Sequence, residues 1–442
     1  MAAKSTPSFV EDPGRIRGLT AAIAAGRLSP VELVERYLQR IDTAEAHVAA
    51  WRVVDRERAR AEAEVLAREA KAGRMRGPLH GLPIAIKDII DVEGLPTRCN
   101  SVSRANVAPA TADAEIVLQL RRQGALILGK VHTTEFAFFD PSPARNPHNP
   151  EHTPGGSSSG SAAAVAAGMV PAALGTQTVA SVNRPAAYCG IAAFKPSTRS
   201  TITSGIAPLA ASYDTVGFYG FKVDDAVTLY EAARSPFAKR HTAPASPRQV
   251  IVIPEDPHLS AATADAMAAL DRLAGALSAA GHKVARRPSP VSFERLFNLQ
   301  RSTMLYEAGR HYRYAIDLAP GQIGEKFLAA VRDGLAMPFE RYVAEARELA
   351  TLGERVLAAF VEADAFLWPA APGTAPKGLA WTGDPRFISP WTAIGGPIVT
   401  IPTGAAADGL PLGCILMAAP GRDAEMCSLA RSVGEIAERA FP

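Results

Sequence analysis

The sequence has few cysteines and no long apolar run, and each absence excludes a class of protein. Its 442 residues include four cysteines, and none of them stands in the CxxC spacing typical of zinc and redox sites. Neither a disulfide-stabilised secreted fold nor metal binding through cysteine is therefore expected. No apolar stretch approaches the roughly 18 residues that cross a membrane, and the first residues lack the apolar core of a signal peptide. We therefore expect a cytoplasmic protein without a membrane segment.

The chain also lacks a marked excess of charge of either sign. It has 47 Lys and Arg residues against 44 Asp and Glu residues, for a net charge of +3. The arginine-rich segment 56–76 is interleaved with acidic residues at helical spacing, which is typical of a solvated helix face. Nucleic-acid binding usually needs clustered basic residues, so no nucleic-acid partner is expected.

Apolar residues, by contrast, make up 48% of the chain and follow two periodicities. Helical spacing predicts two helices within 18–41 and further helices over 55–71, 111–123, 160–168, 259–281 and 338–364. Short apolar runs predict strands over 82–88, 125–130, 250–253, 365–368, 397–401 and 412–417. The order strand, helix, strand indicates an α/β fold with a parallel or mixed sheet covered by helices. The segment Ser235–Arg248 is typical of a linker or of a surface crossover within one domain.

The segment 153–196 is rich in serine, glycine and alanine and almost without charge. Ser157, Ser158 and Ser159 lie between glycines before an alanine-rich helix, and Ser181 follows among mostly small residues. A serine nucleophile needs a base within hydrogen-bond reach, and no histidine lies nearby in the sequence. Taken alone, the serine-glycine run could equally be a flexible loop that caps the following helix.

Lys87 could supply the missing base. It ends a short apolar run, 82–88, that predicts a buried strand, and burial favours the neutral amine that accepts a proton. Periodicity alone favours another interpretation, in which this lysine extends to solvent or pairs with Asp88.

Four ordered segments together resemble the amidase signature family. They are GLPIAIKD at 81–88, TPGGSSSGSAAAVA at 153–166, GTQT at 175–178 and RPA at 184–186. The resemblance is dense over 81–196 and looser over nearly the whole chain. It implies an α/β/α sandwich with a mixed sheet covered on both faces, formed by residues 1–442 as a single domain.

The resemblance also implies a catalytic triad of Ser181 as nucleophile, Ser157 as bridging serine and Lys87 as base. The 24-residue separation of the two serines agrees with the family pattern. The peptide bond before Ser157 is expected to be cis, and Ser158 is expected to hydrogen-bond the lysine or the relay. The backbone of the turn Thr178, Val179, Ala180 and Ser181 is expected to form the oxyanion hole.

This chain departs from the family's commonest pattern beside the nucleophile. Val179 and Ala180 stand where two glycines are usual, and a valine would be strained if the turn required a positive φ there. Arg184 stands three residues after the nucleophile rather than two, as in a subset of the family, and Asn183 fills the usual arginine position. Candidates for the substrate pocket are Phe136, Asn183, Trp381 and Trp391, although core packing explains the aromatic residues equally well.

These observations predict a serine hydrolase that acts on a non-peptide carbon–nitrogen bond of a small amide, carbamate (as a urethanase does) or urea. No cofactor or metal is required, and a monomer or homodimer is expected. One alternative is an amidotransferase component that acts on glutamine within a transfer-RNA-dependent complex. A catalytically silent homologue is a second alternative, which the joint presence of Lys87, Ser157 and Ser181 disfavours.

Overall fold

A computed structural model describes residues 7–234 and 249–442. The segment 235–248, for which a linker or crossover was predicted, lies outside the described residues. Within them, eleven strands form one sheet: β1 (Trp51–Val54), β2 (Pro83–Lys87), β3 (Leu126–Val131), β4 (Ala172–Gln177), β5 (Ala192–Lys195), β6 (Thr215–Gly220), β7 (Val250–Glu255), β8 (Lys283–Pro288), β9 (Ala365–Pro369), β10 (Ile398–Ala405) and β11 (Pro411–Met417).

The sheet is mixed, with the strand order β1-β3-β2-β4-β6-β5-β10-β11-β9-β7-β8. Strand β2 pairs in parallel with both β3 and β4, and β7 pairs in parallel with β8 and β9. The remaining pairs are antiparallel, including the β5–β10 pair that joins the two parts of the chain. The predicted α/β fold with a mixed sheet is confirmed.

Thirteen α-helices accompany the sheet within the described ranges: α1 (Ile16–Ala24), α2 (Pro30–Val48), α3 (Arg56–Lys71), α4 (Glu115–Arg122), α5 (Ser159–Ala166), α6 (Asn183–Tyr188), α7 (Val223–Ala233), α8 (Ala264–Ala279), α9 (Phe293–His311), α10 (Glu325–Ala336), α11 (Phe339–Ala359), α12 (Ser389–Ile394) and α13 (Asp423–Ala440). In the part of the chain that is described, none of the helices has the length and apolar character needed to span a bilayer.

Local capping explains where several helices begin. Helix α2 starts with a capping box, in which Ser29 accepts from a backbone N–H of the first turn and Glu32 accepts from the Ser29 N–H. The predicted helix over 259–281 begins later than expected, because Thr263 caps α8 after a separate 3₁₀ turn at Pro257–Ala261. Capping residues therefore set these boundaries more sharply than hydrophobic periodicity does.

The fold brings the serine-rich segment to the ends of two central strands. Parallel neighbours β2 and β4 end at Lys87 and Gln177, on the same edge of the sheet. Helix α5 starts at Ser159, directly after the serine pair, and lies against both strands. The side chains predicted to form the site are therefore close together in space.

Candidate active site

Lys87 is fully buried and bonds to hydroxyl groups. Its Nζ donates to Ser157 Oγ and to Thr176 Oγ1, each at 2.8 Å. The interpretation that Lys87 extends to solvent or pairs with Asp88 is wrong, because Asp88 instead pairs with Lys130 at 2.9 Å. Burial without a contacting carboxylate lowers the pKa of Lys87 to about 7, although the nearby charge of Asp214 raises it in part. A substantial fraction of this amine is therefore neutral near pH 7.

The two serines that precede α5 have different environments. The Gly156–Ser157 peptide bond is cis, as predicted, and Ser157 Oγ is the one that contacts Lys87. Ser158 Oγ instead bonds to the backbone N–H and carbonyl of Thr176, both at 3.2 Å. Among the described residues the Ser158 hydroxyl bonds neither Lys87 nor the hydroxyls of Ser157 and Ser181, so the predicted contact with the lysine is not found. The Ser158 N–H does contact the relay, because it donates to the Ser181 carbonyl at 3.3 Å.

Ser181 lies at the end of a turn formed by residues 178–181. Its side chain is almost completely buried, and no hydrogen bond joins its hydroxyl to Ser157 within residues 7–234 and 249–442. Neither Val179 nor Ala180 has a positive φ, so the strain considered for a valine at this position does not arise.

The N–H and carbonyl groups of this turn differ in their hydrogen bonding. Among the described residues, the N–H groups of Val179, Ala180 and Ser181 have no hydrogen-bond acceptor. The carbonyls of residues 178–180 are all occupied, by Gln300 Nε2 at 2.8 Å, Thr392 Oγ1 at 2.6 Å and Arg184 N–H at 3.1 Å respectively. Three adjacent N–H groups are thus free to donate to an oxyanion.

Asp214 contacts the turn and also acts electrostatically on Lys87. Its carboxylate accepts from Thr178 Oγ1 at 2.5 Å and from the backbone N–H groups of Leu209 and Ala210. Burial raises the pKa of Asp214 to about 6, and its charge acts on Lys87. Asp214 also lines a narrow cavity beside Thr176 and Thr178.

Arg184 supports the segment that contains the cis peptide bond. The guanidinium is buried and donates to the carbonyl of Gly156 at 2.8 Å, to the carbonyl of Gly383 at 2.6 Å and to Thr382 Oγ1 at 3.0 Å. Burial lowers the pKa of Arg184 to about 10. Arg184 thus joins the Gly156–Ser157 segment to residues 382–383.

The four pocket candidates lie in different environments. The Asn183 amide donates to Thr400 and to the Ile398 carbonyl, and the buried Trp391 ring packs against other core aromatic rings. Both residues therefore belong to the packed interior, which is the alternative considered for Trp391. Phe136 stacks on Phe327 of α10, whereas Trp381 is 52% exposed next to the Thr382 that bonds Arg184. Trp381 remains the candidate with a free surface.

Thr176, Asp214 and Gln300 were not predicted as site residues. Thr176 lies within the GTQT segment, and its position one residue before the end of β4 could have indicated its contact with Lys87. Asp214 and Gln300 lie outside the resembling segments, and no local pattern marks either of them.

A sequence model of the Amidase family matches residues 32–427, which is most of the chain. The chain belongs to the amidase family. As an amidase-family enzyme it acts on carbon–nitrogen bonds, and the resemblance found in its sequence is confirmed.

Two curated relatives and one solved structure illustrate the similarity of this chain to known proteins. A glutamyl-tRNA(Gln) amidotransferase subunit from Symbiobacterium thermophilum is 32% identical over 93% of this chain and 94% of its own length. The putative amidase AmiA2 of Mycobacterium tuberculosis is 32% identical over 92% of this chain and 90% of its own. The peptide amidase structure from Stenotrophomonas maltophilia superposes with a TM-score of 0.81 at 27% identity, covering 96% of this chain and 97% of that one.

Proposed function

We propose that this chain hydrolyses a linear carbon–nitrogen bond of a small molecule through an acyl-enzyme on Ser181. The observation that carries the proposal is the fully buried Lys87 amine, held 2.8 Å from Ser157 Oγ at the cis peptide bond. An amine with a pKa of about 7 can act as a general base at neutral pH. Acyl transfer also needs an oxyanion hole, and the free N–H groups of Val179, Ala180 and Ser181 can supply one.

In the proposed reaction, neutral Lys87 takes the Ser157 proton while Ser157 takes the Ser181 proton, and Ser181 Oγ attacks the carbonyl carbon. The N–H groups of the turn bind the oxyanion. The carbon–nitrogen bond then breaks, and the proton returns through Ser157 to the leaving amine. Water attacks the acyl group with the same relay as base, which releases the acid and restores Ser181. The missing Ser157–Ser181 bond is expected to form with substrate bound, since such contacts often tighten only then.

For the substrate, we propose a neutral, non-peptide amide, with carbamates and ureas as further candidates because they share the carbonyl geometry. Arg184 already donates to three protein oxygens, which disfavours its use as a carboxylate anchor. The narrow cavity beside Thr178 includes the Asp214 carboxylate in its lining, together with the apolar side chains of Ile89 and Leu209, which disfavours an anionic group there. The four buried free cysteines suit a reducing, cytoplasmic setting. We propose that the chain acts as one domain, as a monomer or homodimer.

The proposal predicts that Ser181→Ala and Lys87→Ala each lower kcat/KM by more than about a thousandfold, because each removes a member of one proton relay. Amine release is measured on a panel of small amides, esters and carbamates, and a fluorophosphonate probe reports on Ser181. Ser161→Ala is the matched control, since its buried hydroxyl donates to the Leu174 carbonyl and, among the described residues, to no member of the relay. Turnover close to that of the control in either variant would exclude the mechanism.

A second candidate function is that of an amidotransferase component, which the full-length similarity to a glutamyl-tRNA(Gln) amidotransferase subunit favours. That function predicts ammonia release from glutamine and dependence on partner proteins. The purified chain is therefore tested alone on glutamine and on the amide panel. Turnover of a simple amide without a partner supports the hydrolase. A chain that turns over no simple amide, and that releases ammonia from glutamine only when partner proteins are added, supports the amidotransferase. The absence of a nucleic-acid partner stays a prediction.

A further inference from the structure

The turn 178–181 is held by two side chains that lie far away in the sequence. Gln300 of α9 donates its Nε2 to the Thr178 carbonyl at 2.8 Å, and Thr392 of α12 donates its Oγ1 to the Val179 carbonyl at 2.6 Å. Gln300 and Thr392 are both fully buried. Neither residue lies within the segments 81–196 that carry the family's motifs.

Peptide geometry links these contacts to the oxyanion donors. In a planar trans peptide, the carbonyl of one residue and the N–H of the next point in opposite directions. Among the described residues, the Gly156–Ser157 bond is the one cis peptide, so the bonds within this turn are trans. A donor that fixes the Thr178 carbonyl therefore also fixes the Val179 N–H, aimed to the opposite side of the turn.

The orientation of the Gln300 amide is itself determined by its neighbours. Ser389 Oγ donates to Gln300 Oε1 at 2.8 Å, on the end of the amide opposite to Thr178. Because the Thr178 carbonyl only accepts, the amide nitrogen must face it, and a flipped amide would place two oxygens in contact. Gln300 is therefore held as a directed donor.

We propose that Gln300, oriented by Ser389, is a positioning residue that aims the Val179 N–H into the oxyanion hole. The inference rests on the proposed function, because it assigns Gln300 a task in the same acyl transfer. It follows that part of the catalytic geometry is supplied by the second half of the chain.

The test compares Gln300→Leu with Ser161→Ala, a control that also removes a buried side-chain hydrogen bond to a backbone carbonyl. For each purified variant, the rate of Ser181 labelling by a fluorophosphonate is measured, together with kcat and KM on the best amide of the panel. We expect Gln300→Leu to lower the labelling rate and kcat roughly 10- to 100-fold, with KM changed less than about threefold. The midpoint of the pH profile should stay unchanged, because Lys87 is not touched. Ser161→Ala should behave like the wild type.

Gln300→Glu provides an independent measurement if the leucine variant fails to fold. A protonated carboxyl group donates to the Thr178 carbonyl, whereas an ionised one repels it. The labelling rate of Gln300→Glu, divided by that of the wild type, should therefore fall as pH rises. Ser389→Ala should lower the labelling rate less than Gln300→Leu does. A ratio that rises with pH, a folded Gln300→Leu that labels like the control, or a Ser389→Ala variant that labels like the wild type would overturn the proposal. A wild-type chain that never labels at Ser181 would instead refute the proposed function, and with it this inference.

Discussion

Lys87 differs from the other buried lysines in its partners. Lys87, Lys130 and Lys195 are all fully buried, but only Lys130 contacts a carboxylate, that of Asp88. Lys195 donates to the Pro196 carbonyl, and Lys87 donates to two hydroxyl groups that can also act as proton donors to a neutral amine. Burial beside hydroxyl groups, rather than beside a carboxylate, thus suits Lys87 to accept a proton.

The pKa of Lys87 predicts the pH dependence of turnover. A base is active when deprotonated, so kcat/KM should rise with pH through about 7 and then level off. Asp214→Asn removes a negative charge that raises the pKa of Lys87, so the rising limb should move to lower pH. The pH profile of kcat/KM measures this shift.

Asp225→Asn is the control for that profile, because this buried carboxylate contacts Arg15 and the backbone N–H groups of Ile16 and Lys222 and is not among the charges that act on Lys87. Its midpoint should equal that of the wild type. An unchanged or upward-shifted midpoint for Asp214→Asn would show that Asp214 does not act electrostatically on the base.

Helix α5 places the serine pair by packing its first turn directly on the backbone of neighbouring segments. The Gly160 N–H donates to the His132 carbonyl at 2.9 Å. A Cβ at position 160 would overlap backbone atoms of Ala50 and His132, so only glycine allows this approach. The position of Ser157, three residues earlier, depends on this contact.

Gly160→Ala should therefore destabilise the protein by about 1–3 kcal/mol, because backbone atoms cannot move aside as side chains do. Since α5 would shift relative to Lys87, kcat should fall as well. The free energy of unfolding by urea and the turnover of the best amide measure the two effects. Gly275→Ala, in the middle of α8 with nothing near the added methyl group, should instead stabilise by roughly 0.5–1 kcal/mol. Equal stabilities for the two variants would contradict the packing argument.

Elements with strong periodicity were predictable from the sequence, whereas several strands were not. Strands β2, β3 and β9 are apolar runs and lie where they were predicted. Strand β4 was missed because Ala172–Gln177, apart from Leu174, consists of small and polar residues, and α5 packs against it. Strand β8 was missed because its half-exposed sequence KVARRP carries three basic residues. Composition alone does not identify such strands, since pairing with neighbours decides them.

On the scale of the whole molecule, the site combines a local part and a long-range part. The triad and the cis peptide bond were predicted by resemblance within 81–196, and the structure brings Lys87 and Ser157 into contact. Gln300 and Thr392 reach the turn because the β5–β10 pair and helices α9 and α12 return the second half of the chain to it. Contacts between residues more than a hundred positions apart leave no local pattern, so the sequence did not predict them.

The buried lysines also predict how stability depends on pH. Burial lowers the pKa of Lys195 to about 7, against an ordinary value of 10.5. Between these values the unfolded chain binds a proton that the folded chain does not, so this group makes stability rise with pH. Lys195→Met removes this effect. Between pH 7 and pH 9 the free energy of unfolding of the wild type should therefore rise by about 2 kcal/mol more than that of the variant. Urea unfolding at both pH values measures the difference.

Lys377→Met is the control, at a lysine whose side chain is 73% exposed, and it should keep the pH dependence of stability of the wild type. Parallel pH dependences for the wild type and Lys195→Met would mean that Lys195 stays charged in the folded protein.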